Sequence, residues 1–195
     1  KKIKKQKALA SISDSEKEFE LPKGWAWCRL ADAIDVRDGT HDSPKDAIGE
    51  NTYPLVISKD FDNGNIDFES ARRISEKDHF EINKRSFVEV EDILFSMIGG
   101  NIGNQVMVLD PRPFSIKNVA LFKYFTKNAT NPKYVKIFTA NLAHTLQSEA
   151  SGGAQPFVSL GKLRSLVFAL PPVNEQLRIV SKVEQLELLC DSLTS

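Results

Sequence analysis

Hydrophobic residues along this chain follow two rhythms. Most of the length is cut into short apolar runs: Pro54-Leu55-Val56-Ile57, Ile93 to Ile98, Val119 to Phe125 and Leu166 to Leu170. Runs this short, bounded by turn residues, predict strands, and Leu166 to Leu170 reads as a buried one. Asp62-Asn63-Gly64-Asn65 is a strong turn signal, because Asn-Gly supplies positive φ. Ile66, Phe68 and Ile74 fit extended structure, as do Phe87 to Val90, Val106 with Val108, and Phe157-Val158. Leu160 to Leu163 reads as a turn, and Pro111-Arg112-Pro113 as another.

The second rhythm has a three- and four-residue spacing. Ser75 to Lys84 opens with a capping box, Ser75 to Asp78, and predicts a short helix. After the cap pair Asn131-Pro132, Tyr134, Ile137, Phe138, Leu142 and Leu146 mark a longer one over 133–147. The longest stripe is Val173, Leu177, Val180, Val183, Leu186, Leu189 and Leu193, widened by Ile179 and Leu188. Pro171-Pro172 ends the preceding strand, and Pro172 can open the helix because its first N–H needs no partner. Asn174 is a candidate N-cap, and Glu175 puts a carboxylate in the positive first turn. The expected fold class is α+β: a largely antiparallel β domain with a few short helices, followed by one long C-terminal coiled-coil-type helix. Residues 1–20 read as a linker or the end of a preceding helix, 21–171 as the domain and 172–195 as the terminal helix.

Composition adds bounds. The 195 residues are 41% hydrophobic and 27% charged, which suits one substantial globular domain. No apolar run approaches the roughly 20 residues that span a bilayer, so no membrane partner is expected. The basic start, Lys1 to Lys7, lacks the apolar stretch of a signal peptide. Cys28 and Cys190 sit far apart in apolar settings and read as thiols of a reducing cytosol, so the expected location is cytoplasmic. His41, His79 and His144 show no ligand spacing, and there is no zinc, P-loop or dinucleotide pattern. No catalytic constellation and no metal site are expected, and Trp25 and Trp27 read as core anchors.

The 26 basic and 26 acidic residues cancel. They are unevenly spread: acids dominate 11–100, while 101–170 carries Arg112, Lys117, Lys123, Lys127, Lys133, Lys136, Lys162 and Arg164 against Asp110 and Glu149. A basic face in the second half is the expectation. Three loops hold chemistry suited to nucleic acid. The first carries Arg37, Thr40, His41, Ser43 and Lys45, varied donors for phosphates and base edges. The second, Gly99 to Gln105, has glycines that admit a close backbone approach, and Asn101, Asn104 and Gln105, whose amides match an adenine edge. The third has Gly152, Gly153 and Gln155. Lys59, Arg72, Arg73 and the pair Lys84-Arg85 are candidate phosphate clamps. The competing reading of each loop is a surface turn that needs Gly or Asn for positive φ.

Five blocks carry a resemblance: LPKGWAWCRL at 21–30, DGTHDSPK at 38–45, DILFSMIGGNIGNQVMV at 92–108, SGGAQPFVSLGKLRSLVFALPPVNEQ at 151–176, and the Leu-rich helix that follows. Together they resemble the specificity subunit of Type I restriction–modification enzymes over nearly the whole chain. The resemblance implies a DNA target recognition domain over 21–171 and a conserved spacer and dimerisation helix over 172–195. It implies a non-catalytic chain that reads one half of a bipartite site in double-stranded DNA. Methyltransferase and restriction–translocase subunits are the implied partners, and S-adenosylmethionine, ATP and magnesium belong to them. Leu177, Val180, Val183, Leu186, Leu189 and Leu193 become the candidate interface with a second recognition domain or a second copy of the chain. A complete family member usually carries two domains and two helices, so this sequence reads as a fragment or a half-size subunit. The alternative is a scaffold module that docks partners through its terminal helix without binding DNA. A stand-alone methyltransferase is disfavoured, since no glycine-rich cofactor loop follows an opening strand.

Overall fold

The protein is described by a computed structural model that covers residues 9–150 and 157–194. In chain order the elements are β1 (Ala26–Arg29), α1 (Leu30–Ala33), β2 (Asp35–Asp38), β3 (Thr52–Val56), β4 (Phe61–Asp62), β5 (Asn65–Ile66), β6 (Arg73–Ser75) and α2 (Glu76–Ser86). Then follow β7 (Ile93–Ser96), β8 (Gln105–Met107), β9 (Ser115–Ile116), β10 (Val119–Lys123), α3 (Pro132–Ala150), α4 (Leu160–Ser165), β11 (Val167–Leu170) and α5 (Val173–Thr194).

The central sheet has the order β2-β10-β7-β8 and is antiparallel throughout. Its two faces belong to two cores. Ala120 and Phe122 of β10 join Ile93 and Phe95 of β7 on one face, under α1, α3, α4 and the first half of α5. Val119 and Leu121 join Leu94 and Val106 on the other face, against Val56, Phe61, Phe114 and Ile116. Burial on both sides is why β7 and β10 are apolar without alternation. The second core is closed by the sheet β6-β3-β9, in which β3 and β9 run parallel, the one parallel pair of named strands among the described residues. β1 pairs with β11, from Ala26↔Leu170 to Arg29↔Val167, and so joins the start of the domain to the strand that feeds α5.

The architecture is the expected α+β class with a long C-terminal helix. Local expectations fared unevenly. Ser75 caps α2, its Oγ accepting from the Asp78 N–H at 3.2 Å. Asn131 caps α3 through the N–H groups of Lys133 and Tyr134. Phe87 to Val90 is not a strand. Its backbone bends so that Glu89 N–H reaches the Asp92 carboxylate at 2.8 Å, and Phe87 is left 53% exposed. Leu160 to Leu163 is the start of α4, capped by Ser159, whose Oγ accepts from Lys162 N–H at 3.0 Å. Asn174 lies inside α5, one residue past its start at Val173, and not at the N-cap position before it.

Two buried polar side chains tie ends to the body. Arg29 donates to the carbonyls of Ala10, Ser11 and Ser165 and pairs with Glu16 at 2.6 Å. Residues 10–16 therefore lie against β1, and the guanidinium holds the Glu16 carboxyl down at about 2. Gln176, fully buried, donates to the carbonyls of Ala129 and Pro171 and accepts from Asn131 N–H at 2.7 Å. It joins the starts of α3 and α5.

Candidate nucleic-acid interface

The loop edge is built on a close backbone approach. Beyond β2, Gly39 and Thr40 run beside the turn between β9 and β10. Gly39 N–H donates to Val119 O, Thr40 N–H to Ile116 O, and Asn118 N–H to Thr40 O, all within 3.1 Å. A Cβ on Gly39 would lie 2.4 Å from Ile116 O, so no other residue fits there. Lys117 N–H donates to Val56 O at 2.9 Å, which pins the turn to β3 as well. Asn118 takes φ 56°.

Side chains extend this frame. His41 Nδ1 lies 3.0 Å from Asn118 Oδ1, and its Nε2 lies 2.9 Å from Asp38 Oδ2. The other Asp38 oxygen is 3.1 Å from Arg85, which also donates to Gly39 O. Arg37 pairs with Asp35 at 2.6 Å and reaches Arg85 O. Lys117 Nζ donates to Ser43 Oγ, and Arg72 pairs with Asp46 at 2.6 Å and donates to Pro44 O. Two clefts of about 480 Å³ flank this network. One is lined by Thr40, His41, Asp42, Lys84 and Arg85, the other by Ser58, Arg72, Gly99, Gly100, Asn101, Lys117 and Asn118.

Of the candidate readers, the fold brings together Arg37, Thr40, His41, Ser43, Arg72 and Asn101. Lys45 is exposed in the same loop, and Lys59 is exposed beside Ser58. Others stand elsewhere. Gln105 is a correction: it is 9% exposed, donates to Lys136 O and accepts from Thr139 Oγ1 at 2.6 Å, so its amide is spent inside the fold. Arg73 is held by Thr52 at 2.7 Å. Asn104 is exposed, and its backbone closes the 101–104 turn. Gly152, Gly153 and Gln155 lie outside the described residues. Sequence reasoning missed Asn118 and Asp38. Asn118 reads as a turn former, and its one signal is that Lys117-Asn118 interrupts a long apolar stretch.

The expected basic face is also corrected. Lys123 pairs with Glu89 and Asp92, Lys127 with Glu91, and Lys133 with Glu184. Arg112 pairs with Asp110 and stacks 4.4 Å above Phe68. The acid-rich segment folds onto the base-rich one, and of the latter Lys117 reaches the clefts.

On α5, Val180 is a second correction, since it is 6% exposed and belongs to the main core. Val183 is half-buried. Leu177, Leu186, Leu189 and Leu193 are 50%, 48%, 59% and 86% exposed, and Leu188 joins them at 70%. No helix among the described residues is long and apolar enough to cross a membrane.

An α+β frame that presents loop donors at one edge suits a recognition domain. The comparisons say which kind: residues 22–195 match the family model of the Type I restriction modification DNA specificity domain, and the chain belongs to that family. It is 28% identical to the Type I restriction enzyme EcoEI specificity subunit of Escherichia coli, over all of this chain and 34% of that protein. It is also 28% identical to the EcoAI specificity subunit of the same organism, over 98% of this chain and 33% of that protein. The chain thus spans about a third of the curated relatives it matches. The fold is shared with the HsdS subunit from Thermoanaerobacter tengcongensis, at TM-score 0.69 and 18% identity, over 91% of this chain and 40% of that one. These relatives are named as specificity subunits, and the family model is that of a DNA specificity domain.

Proposed function

We propose that this chain recognises one half of a bipartite target in double-stranded DNA, as the specificity subunit, or part of it, of a Type I restriction–modification system. The observation that carries the reading is the convergence of the Arg37–Lys45 loop, the Lys117-Asn118 turn, Gly99–Asn101 and Arg72 on one edge, in a chain of the DNA specificity family. Residues 21–171 serve as the target recognition domain and 172–195 as the spacer and dimerisation helix. Each of Arg37, Arg72 and Arg85 is oriented by a carboxylate that a DNA phosphate can replace. Methyl transfer and cleavage then belong to methyltransferase and restriction–translocase partners, which use S-adenosylmethionine, ATP and magnesium in the cytoplasm. The exposed leucines at the end of α5 favour a docking role for that helix, alongside DNA recognition.

Titrating the chain against a labelled duplex at several salt concentrations tests the reading. Phosphate contacts from Arg37, Arg72, Arg85 and Lys117 make log affinity fall linearly with log salt, with a slope of about −3 to −4. Replacing Arg72 and Lys117 by Ala flattens the slope by about 2. Salt-independent binding, or none at low salt even with the partner methyltransferase supplied, overturns the proposal.

A further inference from the structure

Most glycines among the described residues answer to the fold. Gly99 has φ 68°, and Gly103 has φ 90° with a Cβ that would lie 2.3 Å from Ala143 Cβ. Gly100 answers to neither demand. Its φ lies outside the left-handed region, it is exposed, and a Cβ built on it would meet nothing within 4 Å. Glycine loses more conformational freedom on folding than alanine, so Gly100 lowers stability without relieving any steric demand inside the chain. Its setting is specific. Gly100 lines the cleft of Arg72, Lys117, Ser58 and Asn101, and no carboxylate lines that cleft among the described residues. Gly161 makes the contrast. It too is exposed and free of a positive φ, and its Cβ would meet Ser159 Oγ at an ordinary 3.7 Å, but it lines neither this cleft nor the one at His41.

We infer that Gly100 is the point where the sugar–phosphate backbone of DNA rests against the main chain, one phosphate sitting where a side chain would project. The inference rests on the DNA-recognition reading above and names the contact of that edge made through the main chain. A phosphate accepts from every side. Arg72 and Lys117 meet it with charge, and rotation of the Ser58 hydroxyl or the Asn101 amide brings a donor to it. A side chain at position 100 fills the gap between main chain and phosphate and lengthens these contacts together.

The test separates folding from binding. The full chain is titrated by fluorescence anisotropy against a labelled duplex pool of random sequence at several salt concentrations, and each variant is also unfolded in urea. Gly100→Ala keeps or raises the urea midpoint, as an alanine at an unstrained position does. Its affinity at low salt nevertheless falls about fivefold, and Gly100→Val loses about tenfold or more. Gly100→Val also flattens the salt slope by about 1, the share of one phosphate. Gly161→Ala keeps or raises the midpoint and leaves affinity unchanged. Unchanged affinity in both Gly100 variants overturns the inference and leaves DNA recognition standing. So does a lowered midpoint in Gly100→Ala, an equal loss of affinity in Gly161→Ala, or weaker binding with an unaltered salt slope, which means that the group held at Gly100 is not a phosphate. If the unaltered chain binds no duplex, the recognition reading fails and this inference with it.

Discussion

Single side chains carry an unusual share of this structure. Gln176 satisfies three backbone groups, Ala129 O, Pro171 O and Asn131 N–H. Stranding them in a buried site is costly, so Gln176→Ala should destabilise the chain by about 2–4 kcal/mol in urea unfolding. A loss below about 1 kcal/mol would show that water replaces the amide. His79 acts through pH. It is buried against Tyr53, the rings parallel at 3.9 Å, and its Nδ1 meets Ser115 Oγ at 2.9 Å. Burial pushes its pKa below the usual 6.5, so the folded state favours the neutral ring. Its contribution is complete above pH about 6.5 and is lost as pH falls from there through the lower folded value. The stability difference between the native chain and His79→Gln should shrink between pH 7.5 and pH 5, read from urea midpoints. A constant difference would mean that the ring's protonation is not coupled to folding.

At the scale of elements, α5 has two characters. Its first half contributes Gln176 and Val180 to the core, and its second half exposes Leu186, Leu188, Leu189 and Leu193. Its 22 residues reach roughly 33 Å at about 1.5 Å per residue. Replacing Leu186 and Leu189 with Asp should abolish self-association or partner assembly in sedimentation, while near-ultraviolet circular dichroism from Trp25 and Trp27 stays native. Loss of the tryptophan signal would instead make the whole helix a core element. The two thiols report on the same division. Cys28 donates to Phe168 O at 3.6 Å, and burial pushes its pKa up to about 11, whereas Cys190 is exposed on α5. Since the thiolate is the reactive form, alkylation at pH 7.5 should label Cys190 quickly and Cys28 only after unfolding. A partner docked on the end of α5 should slow the Cys190 reaction, as mass spectrometry would register.

For the whole molecule, the decisive fact is how charge is distributed after folding. Lys123 and Lys127 of the second half are paired with acids of the first, and the proposed recognition edge carries arginines already paired with Asp35, Asp38 and Asp46. Such an edge should bind DNA weakly without sequence preference, because each arginine–phosphate contact must displace a carboxylate. Asp46→Asn, which frees Arg72, should therefore tighten binding to random duplex several-fold at low salt in the anisotropy titration. Unchanged binding would place Arg72 away from the phosphate path.

Periodicity and turn chemistry were enough to determine the class of fold, the strands β7 and β10, the caps at Ser75 and Asn131, and the long terminal helix. These depend on local spacing, which a sequence displays directly. The quoted blocks also carried the family. What only the tertiary structure decided depends on contacts between distant segments. Gln105 turned inward because Lys136 and Thr139 of α3 lie over it. Val180 turned inward because α5 packs its first half on α3. The basic stretch lost its face to partners such as Glu89, Asp92 and Glu184. Asn118 became part of an edge because Gly39 lets β2 come within touching distance of the β9–β10 turn. Side-chain direction and charge pairing are set by which surfaces meet, and residues far apart in sequence become neighbours only when the sheet closes.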